Sequence, residues 1–282
     1  MPAQIRPPCP QLRGLSVEPT VRELGFGYRL ARWEDPSALG PQCRERLQVL
    51  LRSLAARAFE ADHSDYWDAR VEGGFFDRIS TLAVILGPDG APVGWGGYHR
   101  HRFAGRRALY LDAAGVVPEH RRFGLSAALA LHFMAREIWR HPWAATYVLL
   151  RTRHPAVYAG WRKGLGANRV FPNEYRPVPA QVRHVAKEAA HWLGDGPNLE
   201  PDELLVRDAY RMFEGQVYGA EPVCGDERID AYFADRVAGK DALLVVARVS
   251  APLLAGAVLL RCLRERVRRW AWAGALRVGA GG

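Results

Sequence analysis

Lysine is nearly missing. Only Lys163, Lys187 and Lys240 stand among the 39 basic residues of this 282-residue chain, so arginine carries almost all of the positive charge behind a formal +9. The arginines are dispersed, with no aromatic residues interleaved in a basic stripe; this reads as a solvated surface and argues against nucleic-acid binding. Cysteine is sparse too. Cys9, Cys43, Cys224 and Cys262 lie far apart with no CxxC pair, which argues against a disulfide framework or a cysteine metal site and points to reduced thiols in the cytoplasm. No internal repeat or low-complexity tract occurs. The opening MPAQIRPPCPQLRG has no apolar signal-peptide core, and residues 1–20 read as a disordered leader. The longest apolar run, Ala242 to Leu260, contains Arg248 and Pro252. A charge within a membrane span costs about 2.5–3.5 kcal/mol on insertion scales, so a buried strand followed by a basic amphipathic helix is the better account.

What is present suits a folded core: 49% of residues are hydrophobic and 24% charged. Gly25 to Arg32 reads as a strand, and Pro41 to Phe59 as an amphipathic helix with Leu47, Leu50, Leu51 and Leu54 on one face. Ser80 to Leu86, Pro92 to Phe103 and Ala108 to Val117 read as successive antiparallel strands, separated by the turn sequences Gly87-Pro88-Asp89-Gly90 and Gly105-Arg106-Arg107. A helix over Arg121 to Trp139 follows. Then come a strand at Trp143 to Leu150, a short helix at Pro155 to Lys163 and a strand at Asn168 to Phe171. Beyond Pro172 the pattern predicts helices at Pro179 to Leu193, Asp202 to Glu214 and Asp226 to Val237, a buried strand at Ala242 to Val249 and a helix from Pro252 to Trp270. The expected class is α/β: a mixed, mainly antiparallel sheet flanked by helices, with a helical C-terminal insertion or extension.

One segment carries chemistry. In Val116-Val-Pro118-Glu-His-Arg121-Arg-Phe-Gly124-Leu-Ser126 a strand runs through proline into the start of an apolar-faced helix. The first turn of a helix exposes unpaired N–H groups at the positive end of its dipole, which is an anion site. Gly124 and the small Ser126 would let a phosphate approach, and Arg121 and Arg122 would add charge-assisted bonds.

This segment resembles the acetyl-CoA signature of GNAT N-acetyltransferases, V-x-P-E-x-R-x-x-G-x-G/A, departing from it where Ser126 replaces Gly or Ala. The resemblance implies a GNAT-type core over residues 21–173. It implies that Arg121, Arg122, Phe123, Gly124, Leu125 and Ser126 hold the CoA pyrophosphate. Val116, Val117 and Pro118 would line the pantetheine, with the Val116 N–H polarising the thioester carbonyl. A looser similarity covers His154 to Gly166, where His154 and Trp161 replace the family's Asn and Tyr. Tyr158, one turn earlier, is then the candidate proton donor to the CoA thiolate. Asp112, on the same strand parity as Val116, is the candidate base. His99, His101 and Asp62 to Asp65 read as polar surface rather than catalytic or metal-binding groups.

The implied activity is transfer of an acetyl group from acetyl-CoA, as donor substrate, to a small-molecule amine by direct attack, with no metal. Two alternatives stand beside it: a transferase using longer acyl-CoA or acyl-carrier thioesters, and a non-catalytic CoA-sensing or partner-binding module. Residues 174–282 are expected to supply a helical insertion, the last strand and a C-terminal helix, with Glu174 to Lys240 over the acceptor side.

Overall fold

The computed structural model describes residues 18–263. A hairpin of β1 (Thr20–Gly25) and β2 (Tyr28–Trp33) leads into α1 (Pro41–Phe59), α2 (Ser64–Glu72) and the single turn α3 (Phe75–Arg78). Strands β3 (Thr81–Leu86), β4 (Pro92–Phe103), β5 (Arg106–Leu111) and the short β6 (Gly115–Val116) follow, then a 3-10 helix at Pro118–Phe123 and α4 (Leu125–Ile138). Next are β7 (Thr146–Thr152), α5 (Pro155–Leu165), β8 (Val170–Phe171), α6 (Ala180–Trp192), β9 (Leu199–Glu200), β10 (Leu205–Val206), α7 (Glu227–Arg236) and β11 (Ala242–Val249). Residues 251–263 are helical; the leader and the end of the C-terminal helix expected from the sequence lie outside the described residues.

The sheet order is β1-β2-β3-β4-β5-β7-β11-β10-β9, with β6 added to β4 and β8 to β11. All pairs are antiparallel except β5 with β7. That fits the expected α/β class. Strand parity sorts the helices onto two faces. Trp95 and His99 point toward α1, α2 and α6, where Ala58 lies against Gly115 and Trp192 meets His99 and Tyr110. Gly96 and Tyr98 point the other way, toward Leu129 and Glu137 of α4. Across the seam the same alternation puts Tyr147 and Leu149 with α6, and Val148 and Leu150 with α5.

Two elements form as the periodicity predicts. Helix α1 starts with Pro41 at its first position, which suits proline because that N–H is unpaired anyway, and buries Leu47, Leu50, Leu51 and Leu54. Strand β11 is buried nearly throughout and seated between β7 and β10. Among the described residues no helix is long and apolar enough to cross a membrane.

Four expectations fail locally. Gly25 to Arg32 is not one strand, because Gly25, Phe26 and Gly27 all have positive φ and close the β1–β2 turn. The expected strand from Ala108 to Val117 breaks into β5 and β6 at Asp112 to Ala114. The helix expected from Arg121 begins only at Leu125, after Gly124 at φ +69° ends the 3-10 helix. Asp202 to Glu214 is not helical. Its Leu205 and Val206 pair with β11, while Leu204 and Asp208 adopt left-handed backbone that interrupts any helix.

Candidate active site

The site is built where β5 and β7 part. They pair over only three residues, Ala108 with Tyr147, Leu109 with Val148 and Tyr110 with Leu149. Strand β7 then runs on to Thr152 against β11, while the other chain bends at Asp112 and re-forms as β6 on β4. A wedge opens between Val116 on one side and Leu150 to Thr152 on the other. Gly115 permits the bend, because a Cβ there would sit 2.5 Å from the Trp95 ring and 3.0 Å from Ala58 Cβ. Val117 N donates to Val93 O at 3.0 Å. Successive residues of a strand present their backbone groups to opposite edges, so the Val116 N–H and carbonyl face the wedge.

Below Val116, Asp112 is fully engaged. Its carboxylate takes an ion pair from Arg70, a 2.8 Å bond from His99 Nε2 and a 2.6 Å bond from Ala113 N. Burial alone would raise its pKa, but the Arg70 guanidinium and then His99 override that and hold the carboxyl well below the usual range. So held, Asp112 is a weak base and a strong anchor for Arg70.

Above Val116 lies the loop into α4. Pro118, Arg121, Arg122 and Ser126 are exposed. The first N–H groups of α4 receive no side-chain cap, leaving them directed outward. Gly124 is required by its φ rather than by crowding: a Cβ there would meet nothing nearer than Arg261 Nη1 at 3.8 Å. Arg121 turns inward, donating from Nε to Val116 O at 3.3 Å and from Nη2 to Ala58 O. It therefore pins the loop to the end of α1, and Arg122 is left as the outward charge. The Tyr28 hydroxyl bonds His120 Nδ1 at 2.7 Å, and the Tyr28 ring packs on Phe123 at 5.3 Å, so the β1–β2 hairpin sets the loop's shape.

The opposite wall is the start of α5. His154 Nδ1 accepts from Ala156 N at 3.2 Å, the N-capping job an Asn performs equally well. Its pKa is lowered to about 4, by burial first and then by the field of Arg121. Tyr158 is placed elsewhere. Its hydroxyl donates to Pro172 O at 2.6 Å, and its ring lies against Tyr232 and Phe233 of α7. Trp161 packs partly buried against the same core. The structure thus brings Val116, Arg121 and His154 to one opening, with Asp112 beneath it, and leaves Tyr158 in the packing between α5 and α7.

No protein-family model and no curated protein matches the chain. Solved structures similar to it are acetyltransferases, among them members of the GNAT family that its sequence resembles. One, from Brucella melitensis in complex with acetyl-CoA, is 14% identical at TM-score 0.30, over 42% of this chain and 74% of that one. One from Escherichia coli in complex with CoA is 18% identical at TM-score 0.33, over 51% and 70%. A ribosomal-protein-alanine N-acetyltransferase from Brucella melitensis biovar Abortus is 19% identical at TM-score 0.34, over 50% and 91%.

Sequence reasoning missed the strap that crosses the opening. Gly219 N donates to Phe59 O at 2.9 Å, His63 Nε2 contacts Val217 O at 3.0 Å, and Arg153 donates to both Glu221 oxygens at 2.7 and 2.9 Å. Between these ties the Tyr218 ring meets Phe59 at 5.6 Å and His154 at 5.4 Å, both edge to face, and burial pushes its phenol well above the ordinary value. Beside the strap a cleft of about 340 Å³ separates residues 60–66 from residues 212–219; it is lined by Tyr66, Phe213 and Tyr218 among others. The sequence placed this stretch on the acceptor side but read its first residues as the end of a helix over Asp202 to Glu214, and residues 215–221 have no regular pattern from which the ties could be foreseen.

Proposed function

We propose that the chain is an acyl-CoA-dependent N-acyltransferase that moves an acetyl group from acetyl-CoA to an amine. The observation that carries this reading is the wedge itself: a strand edge with a free N–H at Val116 next to an uncapped helix N-terminus at residues 125–127. A thioester carbonyl on Val116 N–H and a pyrophosphate at the start of α4 are chemically suited to those two groups. Val116, Val117 and Pro118 line the pantetheine arm, while Arg122, Gly124, Leu125 and Ser126 meet the phosphates. Arg121 and Phe123 hold the loop in shape.

In this reaction a neutral amine nitrogen attacks the thioester carbonyl, and the oxyanion so formed is stabilised by Val116 N–H. The C–S bond then breaks; the nitrogen gives up one proton to solvent or a basic group to leave the amide, and the thiolate takes up one proton from solvent to leave free CoA. Asp112 supports this by fixing Arg70 at the floor of the wedge rather than by accepting the proton. Tyr158 supports it by fixing α5, whose His154 end borders the thioester. The aromatic row Trp95, Phe59 and Tyr218 beside β6 favours a short acyl group. The acceptor is proposed to enter through the cleft between residues 60–66 and 212–219.

The deciding experiment is a thermal-shift titration with acetyl-CoA on the parent and on Ser126→Glu, followed by thiol release across an amine panel. Ser126 is exposed in the first turn of α4, so a glutamate there is tolerated by the helix and repels a pyrophosphate. At a hundredfold excess over its dissociation constant the cofactor should stabilise the parent by about 2.7 kcal/mol. Loss of that shift in Ser126→Glu is expected, and equal shifts in both proteins would sink the assignment.

A further inference from the structure

Some 16 Å along α4 from its N-terminus, at about 1.5 Å per residue, the C-terminal half of that helix and the β1–β2 hairpin border a second, open cleft. Its volume is about 430 Å³, and Arg22, Arg32, His132, Arg136, Trp139 and Arg140 line it. The local charge is unbalanced. Arg32 is 3% exposed, and its carboxylate partner, Glu34 at 2.7 Å, is shared with Arg136. Glu137, which pairs with Arg140 at 3.1 Å, is likewise shared, with Arg100 at 3.0 Å. Arg32 donates its remaining Nη to His132 Nε2, so a buried guanidinium rests on an imidazole lone pair where a second oxyanion would serve better. The Nε atoms of both Arg32 and Arg136 are buried without a hydrogen-bond partner. The fields of Arg32, Arg22 and Arg136 also help keep His132 uncharged, adding to the effect of its burial. At the rim Trp139 is 53% exposed, an apolar platform beside the cations.

We propose that this cleft is a second anion site, separate from the thioester wedge, that takes a phosphorylated small molecule. The phosphoryl group is held by Arg22 and Arg136, with the buried Arg32 contributing its field from beneath, and a planar or apolar remainder lies on Trp139. The cleft is open, but its cations are few and confined to one spot, which suits a small molecule; a polyanionic polymer would need a basic track, and the chain's other arginines are dispersed.

The test is calorimetric titration of inorganic pyrophosphate, AMP and adenosine into the full chain at low salt. The proteins compared are the parent, Ser126→Glu, Arg22→Gln, Arg136→Gln and Trp139→Ala. In Ser126→Glu, which removes the proposed site at the start of α4, pyrophosphate and AMP should still bind, and adenosine at least about tenfold more weakly. Arg136→Gln and the exposed Arg22→Gln should each weaken both anions by about tenfold, the loss expected for one charge-assisted contact. Arg22→Gln keeps the test valid should Arg136→Gln lose stability. Trp139→Ala should weaken AMP and spare pyrophosphate. Three results would overturn the site: no binding of either anion at millimolar concentration, binding lost in Ser126→Glu but kept in both arginine variants, or binding of a single-stranded oligonucleotide without binding of AMP.

Discussion

Asp112 and Arg70 form a buried pair, 9% and 16% exposed at the side chain, in which each charge depends on the other. Removing one member of such a pair typically costs about 3–5 kcal/mol, because the survivor is left uncompensated. Asp112→Asn should therefore lower the unfolding free energy from urea titration by that order and loosen α2, where Arg70 also lies over the rings of Tyr66, Trp67 and Phe75. If Asp112 were instead the proton acceptor, the same variant would lose kcat with its midpoint unmoved. The histidines give a second prediction at this scale. His132 and His154 are both lowered to about 4, by burial first and then by neighbouring arginines. Unfolded, each takes up a proton near pH 6.5, while the folded protein resists until about pH 4. Their contribution to stability is whole above pH 6.5 and falls away as pH drops toward 4. Urea midpoints at pH 7 and pH 5 should differ accordingly, and His132→Gln with His154→Asn should flatten the difference; an unchanged slope would refute it.

Among elements, legibility followed how much local pattern decided the structure. Helix α1, β4 and β11 have the expected limits because their periodicity and punctuation agree with their burial: Pro41 opens α1, and the Gly87 to Gly90 turn sets β4. The failures fall where a distant partner decides. Leu205 and Val206 go to the edge of β11, 38 and 36 residues later in the chain. The segment that carries the signature leads from β6 into α4, and its Arg121, expected at the phosphate, donates to the carbonyls of Val116 and Ala58. No sequence pattern announces that. The strap has its own consequence. Since Tyr218 covers Phe59 and His154, it should shield a bound thioester from water. Tyr218→Ala is expected to raise thiol release from acetyl-CoA without any amine several-fold, read with a thiol reagent. Unchanged hydrolysis, with acetyl-CoA still bound, would show that the strap shields nothing.

Across the whole molecule the long sheet is two antiparallel halves joined at one parallel seam of three residue pairs. Helices α1 and α4 pack on the first half and α5 on the second, while α6 spans the seam, with Trp192 on His99 and Tyr110 and its buried face shared with Leu149 and Val246. The seam is flanked by the wedge, so on that line the backbone ladder simply stops after Tyr110 and Leu149. Cooperative units in a protein tend to follow such boundaries. Native-state hydrogen exchange should accordingly resolve two opening reactions, one for β2–β4 and one for β7 with β11, rather than a single global event. A donor that bonds Val116 on one edge and packs on the opposite edge would act as a clasp. Saturating acetyl-CoA should bring the two opening free energies together, and a single exchange isotherm without ligand would show that the seam alone already couples the halves. The gap between β6 and β7 would then be more than a place where a thioester fits. It would be the point at which occupancy decides whether the sheet opens as two bodies or as one.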